Sequence, residues 1–242
     1  MKQILVMMAA VVLVGCGKKD LPEPQAKNPE TPKTDVNETT APKIQPKEEA
    51  KNPQPPKATP EKLIADPIVE EAIREHLEKP TGKLTEADLE KVTGLNLYGT
   101  KITDAGLKEV AKLQNLENLD LTDTKITDAG LKEVAKLQKL EHLNLTFTQI
   151  TDAGLKDVAK LQKLTKLGLG ITQITDAGLK EVAKLQNLLN LGLSVTKITG
   201  AGLKEVAKLQ KLEVLALYGT KITDVGVAEL KKALPNCGVV GR

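Results

Sequence analysis

A 24-residue unit, repeated without a gap, governs what this chain can become. It begins at Leu95 and recurs at Leu119, Leu143, Leu167, Leu191 and Leu215, so six copies fill residues 95–238. A unit this short cannot bury its own apolar side, and self-similarity at a fixed period means that each copy stacks on the next. Two periodicities follow one another inside a copy. Leu119-Asp120-Leu121 alternates apolar and polar, which predicts a short half-buried strand. Leu131, Val134, Ala135, Leu137 and Leu140 fall at helical spacing and predict one apolar stripe on a short helix, with Lys132, Glu133 and Lys136 left to solvent. Thr127-Asp128 precedes that helix, where a side-chain oxygen caps free N–H groups. Asp104, Asp128, Asp152, Asp176 and Asp224 occupy the same place in their copies and are read as helix caps, a position that Gly200 fills in the fifth copy.

Stacked strands sit about 4.8 Å apart, whereas helices are about 10 Å across. The helical side must fan out, so the pattern predicts an α/β solenoid with a curved parallel sheet on its concave face and short helices on the convex face. The residues also resemble a known family. The pattern LxxLxLxxTxITDxGLxxLxxL is similar to the leucine-rich repeat, in the bacterial subtype whose helix begins ITDAGL. That resemblance implies that Thr100, Thr124, Thr148, Thr172, Thr196 and Thr220, which stand where the family usually has Asn or Cys, form a hydroxyl ladder to turn backbone. It implies a binding scaffold, and no particular ligand, because function resides in sites and not in folds.

An open-ended solenoid needs lids. Asp66-Pro67 reads as the N-cap and first residue of a helix with Ile68, Val69, Ala72, Ile73 and Leu77 on its apolar face and Pro80 beyond its end. Thr85-Glu86-Ala87-Asp88 has the capping-box pattern, flanked by Leu84 and Leu89 as a hydrophobic staple. Residues 61–94 are therefore expected to form a helical N-terminal cap similar to that of internalin-type proteins. The repeat domain then runs over 95–242, where Val227, Leu230 and Leu234 carry the last helix to Pro235 and Gly238-Val239-Val240 adds an edge strand.

The first sixty residues are of a different kind. Lys2 precedes an apolar run from Ile4 to Val14, eleven residues long and too short to span a bilayer. It ends in Leu13-Val14-Gly15-Cys16, which looks like the lipobox of bacterial lipoproteins. The resemblance implies a signal peptide over 1–15, cleavage before Cys16 and lipidation of its thiol. The rival reading is an ordinary secretory signal with a chance cysteine. Three lipid chains would anchor the protein firmly, where one would hold it only marginally. The implied location is the cell envelope, on the outer membrane or the outer face of the cytoplasmic membrane. Ten of the chain's 13 prolines lie between Pro22 and Pro60 among Lys, Glu, Thr and Asn. Such a composition cannot offset ordering entropy, so residues 16–60 read as a lipidated cysteine followed by a disordered, proline-rich tether of polyproline-II character.

Catalysis finds no footing in the inventory. Ser194, the one serine, sits in a repeat strand, and there is no Walker loop, GxGxxG, HExxH or zinc-spaced Cys/His set. His76 and His142 fall in unrelated contexts, and Cys237 reads as a small buried hydrophobe. Charges are nearly balanced at +3, without the clustered basic stripe of a nucleic-acid binder. No enzyme, cofactor, metal or nucleic acid is expected, and a monomer is. What differs between copies lies around the strands. Tyr98, Asp120, Asp123, His142, Asn144, Phe147, Ile171, Val195 and Tyr218 are the expected partner-binding residues of the concave face. They include all three aromatics, a residue class typical of interface anchors. The expected ligand is a protein or peptide; the competing reading, favoured by near-identical helices, is a structural spacer without a specific ligand.

Overall fold

The computed structural model describes residues 62–241. The expected signal peptide, Cys16 and the tether lie outside them. Two cap helices, α1 (Pro67–His76) and α2 (Glu86–Leu89), precede the repeats. Strands β1 (Gly94–Asn96), β2 (Asn118–Asp120), β3 (His142–Asn144), β4 (Lys166–Gly168), β5 (Asn190–Gly192) and β6 (Val214–Ala216) each open a repeat, and β7 (Gly238–Val240) closes the series. Between them lie α3 (Leu107–Val110), α4 (Asp128–Val134), α5 (Leu155–Val158), α6 (Asp176–Val182), α7 (Leu203–Val206) and α8 (Asp224–Ala233).

The strands form one parallel sheet in chain order. The register steps by one repeat at every strand, Leu95 against Leu119, Leu119 against Leu143, and so on to Leu215 against Val239. One face of the sheet and the inner stripe of each helix enclose a continuous core built from Leu, Ile, Val and Ala. Leu121, Ile126, Leu131, Leu137 and Leu140 are all fully buried in it. The cap behaves as its sequence predicts. Asp66 accepts from the Ile68 and Val69 amides, α2 carries the Thr85–Asp88 capping box, and Val69 and Ile73 close the core against β1.

The helices are shorter than their apolar spacing predicts. α4 ends at Val134, and Leu137 and Leu140 reach the core from successive tight turns, Leu137 N–H to Val134 carbonyl and Leu140 N–H to Leu137 carbonyl, both 3.0 Å. A three-residue step serves such turns as well as a helix. Gln138 Nε2 fixes the transition by donating to the Ala135 carbonyl at 2.6 Å, and Gln114, Gln162, Gln186 and Gln210 repeat the bond. The threonine hydroxyls do bond to turn backbone, each to the carbonyl three residues earlier, from Thr100 to Leu97 through Thr220 to Leu217.

The aspartates do something other than cap their own helices. In α4, α6 and α8 capping falls to the threonine before them; Thr127 Oγ1, for example, accepts from the Ala129 amide, while α3, α5 and α7 start after a glycine without a side-chain cap. Four of the five carboxylates, those of Asp104, Asp128, Asp152 and Asp176, reach forward to the next repeat. Asp128 accepts from the Thr151 amide and hydroxyl at 2.9 and 2.6 Å, and Asp104–Thr127, Asp152–Thr175 and Asp176–Thr199 repeat the pair. The glycine of each Asp-Ala-Gly is the seat for this clasp, since a Cβ on Gly178 would collide with Asp152 Oδ1 and Leu155 Cδ1. Gly200 removes the clasp between the fifth and sixth repeats. Losing a charged acceptor and stranding a partly buried amide costs about 2 kcal/mol, so Asp152→Ala is expected to lower unfolding stability by about that amount in urea titration. A Cβ at Gly200 meets nothing within 4 Å, so Gly200→Asp, by restoring the clasp to Thr223, should add about 1 kcal/mol in the same assay.

Candidate functional site

The outward face of the sheet forms a groove of about 910 Å³, closed at one end by Ala72, Glu75 and His76 of the cap. Two side-chain rows make its floor. The first runs Asn118, His142, Lys166, Asn190 and Val214, one residue per strand. The second runs Asn96, Asp120, Asn144, Gly168, Gly192 and Ala216. The groove is thus two-toned. Its first half carries carboxylates, amides and imidazoles; in its second half one row is bare backbone or alanine at Gly168, Gly192 and Ala216, beside Lys166, Asn190 and Val214 in the other.

Asp120 and Asn144 have a local task as well. Asp120 Oδ1 accepts from the Thr122 amide at 2.8 Å, and Asn144 Oδ1 accepts from the Thr146 amide and hydroxyl at 3.2 and 2.7 Å. These short-range bonds end the strand in a turn. They leave Asp120 Oδ2 and Asn144 Nδ2 for a ligand. His142 lies in the first row next to Lys166. Loss of water and the neighbouring ammonium push its pKa below the ordinary 6.5, against a smaller opposing pull from Glu141. The neutral ring is the form favoured in the folded chain. Its stabilising contribution is present above pH 6.5 and fades as the pH falls below that value. In an NMR titration Lys166→Gln should raise the His142 pKa toward 6.5 without reaching it, because desolvation is the larger cause.

Of the nine residues expected to bind a partner, the groove gathers Asp120, His142 and Asn144. The other six stand beyond the strands. Tyr98 and Tyr218 follow β1 and β6 by two residues and are 61% and 65% exposed. Asp123, Phe147, Ile171 and Val195 are three residues past their strands, in a turn, with φ of 55°, 58°, 53° and 56°. Left-handed backbone explains why this row moves off the sheet floor to its rim. Glycine, the residue at ease there, holds the row at Gly99 and Gly219. The ladder between repeats continues through it, from Phe147 N–H to the Gly170 carbonyl and from Ile171 N–H to the Ser194 carbonyl, both 2.8 Å. Phe147, Ile171 and Val195 therefore stack on consecutive repeats as a stripe, 54%, 47% and 46% exposed. Bulky and β-branched residues in this conformation carry roughly 1–2 kcal/mol of strain each.

The cap adds residues that linear reading placed elsewhere. His76 and His142 line the same groove, with the His76 ring packed against Gly94, two strands from His142. Glu75 joins them there. Cys237 is buried, with its thiol pKa raised by that burial. Among the described residues no group of three His, Cys, Asp or Glu side chains could hold a metal ion.

Comparison with known proteins agrees with this architecture. The Leucine Rich repeat family model matches residues 112–135 and 136–159. Among solved structures the chain is similar to internalin C2 from Listeria monocytogenes, with 29% identity and a TM-score of 0.57 over 74% of this chain and 84% of that one. It is similar also to a leucine-rich-repeat protein of Leptospira interrogans, with 26% identity and a TM-score of 0.52, over 66% of this chain and 40% of that one. A search of curated proteins finds no match.

Proposed function

We propose that this chain, an α/β solenoid of leucine-rich repeats similar to bacterial proteins of that kind and a scaffold for protein interaction, is a lipid-anchored envelope protein that binds a protein or peptide partner over the concave groove and its rim. The observation that carries the reading is the rim stripe. Phe147, Ile171 and Val195 hold strained backbone and expose large apolar surface at a position where Gly99 and Gly219 show that glycine serves the fold. Strain kept at an exposed apolar stripe points to use of that stripe.

Catalysis has no part in this proposal. The groove offers hydrogen-bonding groups along its length and a strip of open backbone at Gly168 and Gly192, which suits recognition of a chain of mixed character. Anchoring rests on Cys16 and the apolar run before it. Among the described residues no helix is long and apolar enough to cross a membrane; the assignment of attachment to lipid on Cys16 is carried by the lipobox pattern Leu13-Val14-Gly15-Cys16. Mass spectrometry of the N-terminal peptide from envelope fractions should find acylated Cys16, and Cys16→Ser should shift the protein out of the detergent phase. An unmodified N-terminus in the membrane fraction would remove this part of the proposal.

The binding reading is tested by affinity capture from detergent-solubilised envelope. The bait is the full chain beside Phe147→Ser/Ile171→Ser. Both substitutions are on exposed residues, so circular dichroism should show both baits folded. A partner retained at least ~tenfold better by the unaltered bait is the expected result. Equal retention by both would place recognition elsewhere, and no retained partner would favour the spacer role.

A further inference from the structure

The rim carries a second pattern, in charge. Two residues beyond the left-handed position, every repeat exposes one more side chain: Lys101, Lys125, Gln149, Gln173, Lys197 and Lys221. Lysine gives way to glutamine in the two repeats that carry Phe147 and Ile171, and nowhere else in the row. Buried Thr124, Thr148, Thr172 and Thr196 separate the two positions, so in each repeat both side chains point outward, side by side. This outer row also stacks between repeats, Gln149 N–H to the Ile126 carbonyl and Gln173 N–H to the Ile150 carbonyl, both 3.1 Å. Within their own repeats Phe147 and Ile171 thus have uncharged neighbours. Past Val195 the rim becomes basic, with Lys197, Lys221 and the exposed ring of Tyr218. At the opposite end Asp123 offsets one of the two lysines, Lys101 and Lys125, and leaves a weaker field.

The spacing selects the shape of what fits. Stacked repeats place Phe147, Ile171 and Val195 about 4.8 Å apart. An α-helix lying along the stack presents residues i, i+3 or i+4, and i+7 at average steps of about 5.3 Å. An extended chain presents same-face residues every ~6.7 Å and slips out of register by the third. The charge selects against a second copy of this chain. Two rims related by a two-fold axis through Ile171 would set Lys125 opposite Lys221 twice. We infer that the rim stripe docks an amphipathic helix of a partner protein, apolar at i, i+3/i+4 and i+7, with acidic residues at the end that overlies Lys197 and Lys221.

This inference rests on the binding role proposed above and narrows it. The test is selection of helix-forming peptides from a display library on the purified full chain, with an unstructured peptide library selected in parallel. Both are counter-selected on Phe147→Ser/Ile171→Ser. The expected winners come from the helical library, carry the three-residue apolar stripe, and have Asp or Glu on one side of it. Lys197→Glu/Lys221→Glu should weaken those winners at least ~tenfold at low salt and turn the selected flank from acidic to basic. Winners that are extended, or that ignore the charge reversal, would overturn the helix assignment while leaving rim binding intact. If neither library yields a peptide lost on Phe147→Ser/Ile171→Ser, rim binding fails with it.

Discussion

The triple variant Phe147→Gly/Ile171→Gly/Val195→Gly is expected to keep the stability of the natural chain to within about 1 kcal/mol and to have lost its partner. Each substitution relieves roughly 1–2 kcal/mol of left-handed strain and returns roughly 0.5–1 kcal/mol through the wider freedom of glycine in the unfolded chain. Each also gives up the buried half of its side chain, worth about 1 kcal/mol, so the net change over three sites stays within about 1 kcal/mol and Tm moves by no more than about 3 °C for a domain of this size. Removing the apolar stripe should meanwhile weaken partner or peptide binding at least ~100-fold, more than the Ser pair, since no side chain remains on three repeats. Differential scanning calorimetry beside a binding titration measures both. A larger loss of stability in the glycine variant would mean that the stripe packs as part of the fold, and its exposure would then have no bearing on recognition. Retained stability without loss of binding would show strain with no purpose at this rim.

A second large effect concerns position along the stack. Leu169→Ala deletes three carbons from a fully buried side chain in the fourth repeat and should cost about 3–4 kcal/mol. Leu217→Ala makes the same deletion in the sixth repeat, where the side chain is equally buried. The local loss should be similar, but the consequence should not. Each repeat packs chiefly on its two neighbours, so a defect in the middle uncouples the stack into two halves, whereas one near the end frays a single unit. Denaturation of the Leu169 variant, followed by circular dichroism, is expected to broaden into two transitions. The Leu217 variant should keep the main transition nearly in place. Equal displacement of one sharp transition by both variants would mean that the array unfolds as a block.

The repeat made most of the fold readable. Leu119, Leu121, Ile126 and Leu131 recur at fixed offsets, and only stacking can bury all of them, so the parallel sheet and the buried stripe follow without further information. The cap was readable for a different reason: Asp66-Pro67 and Thr85–Asp88 are local signals whose partners lie within three residues. What escaped were interactions that close only in three dimensions. Asp128 looks like a cap when read along the chain, and its partners, the Thr151 amide and hydroxyl, are 23 residues away in the next copy. His76 meets the groove because α1 folds over β1, which no periodicity announces. Leu137 and Leu140 read as helix in the sequence because a step of three satisfies both a helix and consecutive tight turns. The left-handed row did leave a trace, in Gly99 and Gly219 at one offset of the repeat. Two glycines at matching positions mark a backbone that glycine prefers, and Phe147, Ile171 and Val195 then stand out as residues placed there against that preference. The groove's Asp120, His142 and Asn144 were legible because strand alternation alone assigns them to the outward face.

The missing clasp at Gly200 has a bearing on motion. Four successive junctions are tied by a carboxylate that spans two repeats, and the fifth is held by backbone pairing, including the bridge from Thr199 to Lys221, and by apolar packing. Breathing of the solenoid should therefore begin there. The amides of β6 and β7 should trade protons with solvent well before those of β3 and β4, with the last repeat and α8 lifting as one leaf. Tyr218 rides on that leaf and Phe147 and Ile171 do not. A rim partner that touches all three holds the leaf shut, so slowed exchange at the C-terminal end would report occupancy of the rim from a site two repeats away.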